Sequence, residues 1–240
     1  MEVPANYDGE INYDELESSI KQRSKLPVII VANIGTTMKE AKDNVSLILD
    51  IIKKHNIEHY YIHCDAALAG AYLPLIEEDP KFDFKNGVDS ITCSGHKFIG
   101  SPIPCGIVVV KKRNKGNLAH QYISYIGSLD TTINGSRNGF TPVILWYIIK
   151  QQGRKGLHKN ALESLELAEY TQNIFQELGI ASYRNKNAIT VVFPKPSEFI
   201  CKKWQLATKD DYAHLICMPG ISKEVIDNFF FDLSKDINLS

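Results

Sequence analysis

The stretch PVIIVANIGTT, residues 27–37, decides the fold. Its first six residues form a continuous apolar run rich in β-branched side chains, which is typical of a strand buried on both faces of a sheet. The polar turn NIGTT follows, and then a helix that Asp43 or Asn44 can cap. The apolar residues of this helix recur every three to four positions from Val45 to Ile52. Strand followed by helix predicts a parallel α/β sheet.

Further elements follow from the same patterns. Residues 59–64, 88–93 and 106–110 are predicted strands. Helices are then predicted at 140–152, 157–178, 197–205 and 223–234, and strands at 187–193 and 213–218. We therefore predict a partial large domain over residues 1–155 and a small C-terminal α/β domain over residues 156–240.

Composition narrows the classes of protein. The chain has 240 residues, a net charge of −1 and 44% hydrophobic residues, so we expect a globular protein without a nucleic-acid partner. Residues 1–20 show no signal peptide, and the apolar stretch 66–76 is too short to cross a bilayer. The five cysteines lie mostly in apolar segments, which indicates reduced thiols and a cytoplasmic location without membrane partners.

Polar groups follow three predicted core strands: the NIGTT turn, Asp65 with two alanines, and the run from Ser94 to Lys97. In a parallel sheet these ends meet in one crevice, where ligands bind. A lysine with an acidic partner suggests Schiff-base chemistry. Pyridoxal phosphate is the cofactor that uses both groups, the amine for its aldehyde and the carboxylate for its ring nitrogen. The alternative is that Lys97 is a surface residue of a Gly- and Pro-rich turn and Asp65 a turn former. Spacing alone leaves both interpretations open.

Three motifs carry a more specific signal: NIGTT at 33–37, HCDAALAG at 63–70 and SGHKFIGSPIPCG at 94–106. They resemble the group II pyridoxal phosphate-dependent amino-acid decarboxylases, within these the branch that acts on histidine or serine. The stretches GEINY at 9–13, SLDTTINGSRNG at 128–139 and WQLA at 204–207 extend the resemblance over nearly the whole chain. It implies a fold type I, pyridoxal phosphate-dependent transferase-like α/β fold with a mostly parallel sheet.

The resemblance also implies roles for single residues. Lys97 would form the Schiff base with pyridoxal 5'-phosphate, Asp65 would pair with its ring nitrogen, and Ala67 would pack on one ring face. The other implied cofactor contacts are Ser94, His96 and Ser136 near the phosphate, and Asn33 and Thr36 along the edge of the cofactor. In this family the site forms between two subunits, so we expect a homodimer in which residues 130–138 reach the neighbouring site.

The implied reaction removes the α-carboxylate of an amino acid as carbon dioxide. Histidine, giving histamine, is the first expected substrate, and serine is the alternative. The family's chains run longer on the N-terminal side, where they carry a Gly- and Thr-rich phosphate loop and a histidine that stacks on the ring. Here that loop does not occur, and Phe140 and Gly220 stand where the relatives have histidine. We therefore expect exposed apolar sheet faces, and a second hypothesis is a non-catalytic relic that acts as a binding or regulatory partner.

A metal site is a third hypothesis. Its candidate ligands are His63, Cys64, Asp65, Cys93 and His96. Neighbouring residues of a strand point to opposite faces, which separates Cys64 from Asp65. The chain also has no C-x-x-C pair of the kind found in structural zinc sites. We therefore predict no metal.

Overall fold

The computed structural model describes residues 1–115, 121–124, 127–130 and 137–237. The helices are α1 (Tyr13–Gln22), α2 (Val45–Lys54), α3 (Leu73–Ile76), α4 (Lys112–Lys115), α5 (Phe140–Glu177), α6 (Glu198–Lys203) and α7 (Lys223–Ile237). The strands are β1 (Val28–Asn33), β2 (Tyr60–Asp65), β3 (Ser90–Ser94), β4 (Gly106–Val110), β5 (Gln121–Ile123), β6 (Ser128–Asp130), β7 (Thr190–Pro194), β8 (Ala207–Lys209) and β9 (Tyr212–Ile216).

The first four strands form one sheet in the order β1-β2-β3-β4. β1, β2 and β3 run parallel and β4 is antiparallel to β3, so the predicted mostly parallel sheet is confirmed. Helix α2 connects β1 to β2, as a parallel crossover requires. The carboxyl ends of β1, β2 and β3 therefore lie at one edge of the sheet.

The described residues cover one face of this sheet and leave the other exposed. In β1, Ile30 and Ala32 are buried, whereas Ile29 is 77% and Val31 is 54% exposed. The prediction that β1 is buried on both faces is therefore wrong, since an apolar run records the hydrophobicity of a strand and not what packs on it. The expected exposure of apolar sheet residues is confirmed. We call the face that carries Ile29 and Val31 the open face.

Local sequence explains the covered face. The side chain of Asn44 accepts hydrogen bonds from the backbone N–H groups of Ser46 and Leu47, so Asn44 is the N-cap of α2. The residues of α2 buried against the sheet are Val45, Ile48, Ile51 and Ile52. Helix α1, which the sequence analysis did not predict, packs against α2 and buries Leu16 and Ile20 in the same core.

The C-terminal part is built on the long helix α5. The two helices predicted at 140–152 and 157–178 meet at Gly153, whose φ of 59° and ψ of −177° break the helical geometry. Strands β7, β9 and β8 form an antiparallel sheet in that order, and β8 was not predicted. A second core beneath this sheet is rich in aromatic rings and contains Phe175, Phe193, Phe229 and Phe230. The boundary at residue 155 stays a prediction.

Within the ranges that the structure describes, no helix is both long enough and apolar enough to cross a bilayer.

Candidate active site

The ends of β1 and β2 place two predicted site positions, Asn33 and Asp65, side by side. Asn33 pairs with Asp65 in the register of β1 and β2, and Asp65 pairs with Thr92 of β3. Asp65 is exposed on the open face, and its Oδ1 accepts a hydrogen bond of 3.2 Å from the backbone N–H of Ala67. This bond turns the chain at the end of β2 and holds the carboxylate over the half-buried Ala67.

The turn after β3 is fixed to the same edge by its backbone. The N–H of Ser94 donates to the carbonyl of Ala67 over 3.0 Å. Gly95 then donates to the carbonyl of Cys105 over 3.0 Å and accepts from Ser101 over 2.9 Å. A Cβ at Gly95 would lie 2.5 Å from Cys105 Sγ, so the close approach of the two segments requires glycine here.

Lys97 lies in this turn with an exposed side chain, next to Phe98, which is only 1% exposed. Burial raises the pKa of the Cys93 thiol to about 11, and the positive charge of Lys97 opposes that shift. The amine of Lys97 thus lies near the end of β3. Within the described residues it makes no hydrogen bond or ion pair, so it is available to a ligand.

His96 is exposed, and its ring is oriented by the backbone of Cys105. The ring atom Nδ1 lies 2.9 Å from the carbonyl oxygen of Cys105 and 3.0 Å from its nitrogen. A protonated Nδ1 would donate to the oxygen, and an unprotonated one would accept from the N–H. In both tautomers Nε2 is left for another partner.

The remaining predicted cofactor contacts are Thr36 and Ser136. Thr36 uses its hydroxyl to accept the backbone N–H of Ala41 over 3.0 Å, within its own turn. Thr36 and Asn33 both line a cavity of about 520 Å³ along β1, which Asp65 and Lys97 do not line. Ser136 lies outside the described residues. The structure thus brings together Asn33, Asp65, Ala67, Ser94 and the turn of His96 and Lys97, whereas Thr36 shares a cavity with Asn33 alone among them.

Beneath Asp65 on the open face lies a hydrogen-bonded polar group. His63 Nδ1 is 2.7 Å from Ser90 Oγ, and His63 Nε2 is 2.9 Å from Thr92 Oγ1. Cys64 points to the other face and is fully buried. In the part of the chain that is described, no three His, Cys, Asp or Glu side chains are grouped so that they could hold a metal ion.

Two buried side chains near the site gave no signal in the sequence. Glu40 and Tyr72 are both fully buried and are hydrogen-bonded to each other. Burial raises the pKa of Glu40. Glu40 lies in the charged run MKEAK, 38–42, which resembles a solvated turn, and only the tertiary structure shows that it is enclosed.

Comparison with known proteins agrees with this arrangement. Residues 1–193 match the family model described as the pyridoxal-dependent decarboxylase conserved domain. The chain belongs to this family. Pyridoxal phosphate is therefore the cofactor to be considered at this site.

Individual relatives fit the same assignment. The chain is 45% identical over 233 residues to the histidine decarboxylase of Mesorhizobium japonicum, covering 97% of this chain and 63% of that protein. It is 39% identical to serine decarboxylase 3 of Oryza sativa subsp. japonica, covering 98% of this chain and 53% of that protein. The crystal structure of L-methionine decarboxylase from Streptomyces sp. 590 superimposes with a TM-score of 0.85 at 29% identity, covering 98% of this chain and 60% of that one. The chain thus spans less than two thirds of each relative.

The residues at the strand ends fit the ring end of pyridoxal phosphate. An aldehyde requires an amine that is not engaged elsewhere, which Lys97 supplies. A ring nitrogen requires an anionic acceptor, and Asp65 accepts from the backbone of Ala67 alone among the described groups. Ala67 is small enough to leave space above the turn. Ser94 and His96 are the hydrogen-bonding side chains beside them.

Proposed function

We propose that this chain carries the lysine-bearing part of a pyridoxal phosphate-dependent amino-acid decarboxylase. The observation that carries the proposal is the convergence of Asp65 and the Lys97 turn at one edge of the sheet, held by the bond from Ser94 to Ala67. When bound, the cofactor would supply an electron-accepting ring that makes loss of the α-carboxylate feasible.

The residues of the chain have separate tasks in this proposal. Lys97 would hold the cofactor by condensing its amine with the aldehyde, whose oxygen leaves as water. Asp65 keeps a proton on the ring nitrogen by its negative charge, which favours the protonated ring. Ala67 supports one ring face, Ser94, His96 and Ser136 contact the phosphate, and Asn33 with Thr36 lines the edge. The Thr36 hydroxyl accepts the N–H of Ala41 and still has its own O–H to donate to the cofactor.

The proposed substrate is L-histidine, which would give histamine and carbon dioxide. The relative from Mesorhizobium japonicum, which is a histidine decarboxylase, supports this choice. The rice relative named serine decarboxylase 3 supports serine as the second candidate. A non-catalytic binding or regulatory role is the remaining hypothesis, because the chain spans only 63% of the histidine decarboxylase it matches.

We further propose a homodimer with a shared site and a cytoplasmic location. The family resemblance of residues 128–139 supports the dimer. The five cysteines, all free thiols, support a reducing compartment.

Trapping the cofactor tests the proposal directly. The purified chain is incubated with pyridoxal phosphate, reduced with borohydride and digested, and the peptides are analysed by mass spectrometry. We expect the reduced cofactor on Lys97 and not on exposed lysines such as Lys53. An unmodified Lys97 in a chain whose circular dichroism shows the native fold would refute cofactor binding.

A carbon dioxide release assay then separates the substrates. Histidine, serine and an aromatic amino acid are supplied to the loaded chain, each with Lys97→Ala as the control. Release from histidine alone supports the first assignment, and release from serine alone supports the second. Trapping without release from any amino acid would support the non-catalytic role.

A further inference from the structure

A continuous series of contacts joins the turn of Lys97 to the C-terminal part of the chain. Phe98, the neighbour of Lys97, packs against Tyr72 with a ring-centroid distance of 5.5 Å. The single proton of the Tyr72 hydroxyl is shared between two acceptors, a carboxylate oxygen of Glu40 and the carbonyl oxygen of Asn187, the latter at 3.0 Å. The other carboxylate oxygen of Glu40 accepts the backbone N–H of Ile189 over 3.0 Å.

Every side chain in this series is enclosed. Phe98 is 1% exposed, and Tyr72, Glu40 and Ile189 are fully buried. Hydrogen bonds to a buried carboxylate are among the stronger ones in proteins, and a buried group without its partner carries a large desolvation cost. The two oxygens of Glu40 therefore hold Tyr72 and the strand leading into β7 in one arrangement.

The backbone around Glu40 indicates that this arrangement is specific. Glu40 has a φ of 52°, in the left-handed region that a residue with a Cβ seldom adopts. Its N–H donates to the carbonyl of Thr36 over 2.8 Å, which turns the side chain inward from the loop after β1. A simple surface loop would not require an inward-pointing glutamate in a strained conformation.

We propose that Tyr72 and Glu40 are positioning residues that couple the docking of residues 187–190 to the turn carrying Lys97. Neither residue contacts the predicted cofactor groups, so their effect passes through Phe98. The consequence for the reactivity of Lys97 rests on the proposed function, whereas the coupling itself is a property of the fold.

The matched variants are Tyr72→Phe and Asn185→Ala. Tyr72→Phe retains the ring against Phe98 and removes only the hydroxyl that joins Glu40 and Asn187. Asn185→Ala removes a different link between the same parts, namely the side-chain bonds to the carbonyls of Asp8 at 3.0 Å and Lys39 at 2.8 Å. It leaves the Tyr72 series intact.

Native-state amide hydrogen exchange, read on peptides by mass spectrometry, reports local opening without any cofactor. In Tyr72→Phe we expect exchange to be roughly tenfold faster in both residues 187–190 and 95–101, with α2 unchanged. In Asn185→Ala we expect faster exchange at residues 185–190 and the wild-type exchange rate at residues 95–101. Glu40→Gln, which keeps the side-chain volume, should reproduce the exchange pattern of Tyr72→Phe. It replaces Tyr72→Phe in the experiment if that variant does not fold.

The coupling is refuted if residues 95–101 exchange at the wild-type rate in both Tyr72→Phe and Glu40→Gln. It is also refuted if Asn185→Ala or α2 shows the same acceleration, because general destabilisation would then explain the result. The rate of borohydride trapping at Lys97 should fall in Tyr72→Phe and stay at the wild-type level in Asn185→Ala. If wild-type Lys97 is never trapped, the proposed function fails while the exchange experiment still decides the coupling.

Discussion

At the scale of single residues, the role of the Asp65 charge can be tested apart from that of the Lys97 amine. Asp65→Asn keeps an acceptor for the N–H of Ala67 but removes the negative charge. We expect it to weaken pyridoxal phosphate binding by about ten- to a hundredfold, the difference between a charge-assisted and a neutral hydrogen bond. Titration followed by absorbance measures this. The control is Asp50→Asn, an exposed carboxylate of α2 paired with Lys53, and equal affinities of the two variants would contradict the role of Asp65.

A second residue, His214, should make stability depend on pH. It is 6% exposed in β9, and burial lowers its pKa from the ordinary value of 6.5, against an opposing hydrogen bond to the Met38 backbone. Because the folded state then binds a proton less readily than the unfolded state, the stabilisation is complete above pH 6.5. It is lost as the pH falls through the folded pKa.

Chemical denaturation between pH 8 and pH 5 measures this effect. Relative to His214→Phe, the wild type should lose up to about 1.4 kcal/mol of unfolding free energy per pH unit below pH 6.5. His158→Gln, at an exposed position of α5, is the control and should follow the wild type. Parallel curves for wild type and His214→Phe over this range would show that burial of His214 carries no pH dependence.

At the scale of elements, the sequence located most of the architecture. β1, α2, β2, β3 and β4 were predicted because their apolar periodicity and caps are local signals. Helix α1 was missed since YDELESSIKQ buries only Leu16 and Ile20, too few for a clear apolar stripe. The apolar pattern of β1 alone wrongly indicated burial on both faces, because burial depends on partners that no local pattern encodes; the exposed face was expected only from the family resemblance.

The turn at residues 94–106 depends on the absence of a Cβ atom at Gly95. In Gly95→Ala, the new Cβ would meet Cys105 Sγ at 2.5 Å and Leu145 Cδ2 at 2.8 Å, which would push the 94–106 turn away from β4 and α5. We expect a loss of about 1–3 kcal/mol of unfolding free energy and slower trapping at Lys97. Gly106→Ala, whose Cβ would meet nothing within 4 Å, is the control for both measurements. Wild-type stability of Gly95→Ala would show that the contact is easily relieved.

At the scale of the whole molecule, the candidate site was only partly predictable. Asp65 and Lys97 stand next to strand ends, so their approach follows from parallel-sheet topology. The contact of Glu40 with Tyr72 spans 32 residues, and that of Glu40 with Ile189 spans 149, so no local pattern could indicate them. That His63 and Thr92 share the open face with Val31 likewise follows only from the register of the strands.

That open face should make the isolated chain associate. Ile29 is 77%, Val31 54% and Val108 66% exposed, and among the described strands β1 has a neighbour on one side only. Exposed apolar patches beside a free strand edge promote self-association. Ile29→Lys should therefore lower the weight-average mass in sedimentation velocity at micromolar concentration, because a lysine there must be desolvated on association. Leu47→Lys, at a 44% exposed apolar position of α2, is the matched control. The open face is not the associating surface if both variants sediment like the wild type, or if both lose mass equally.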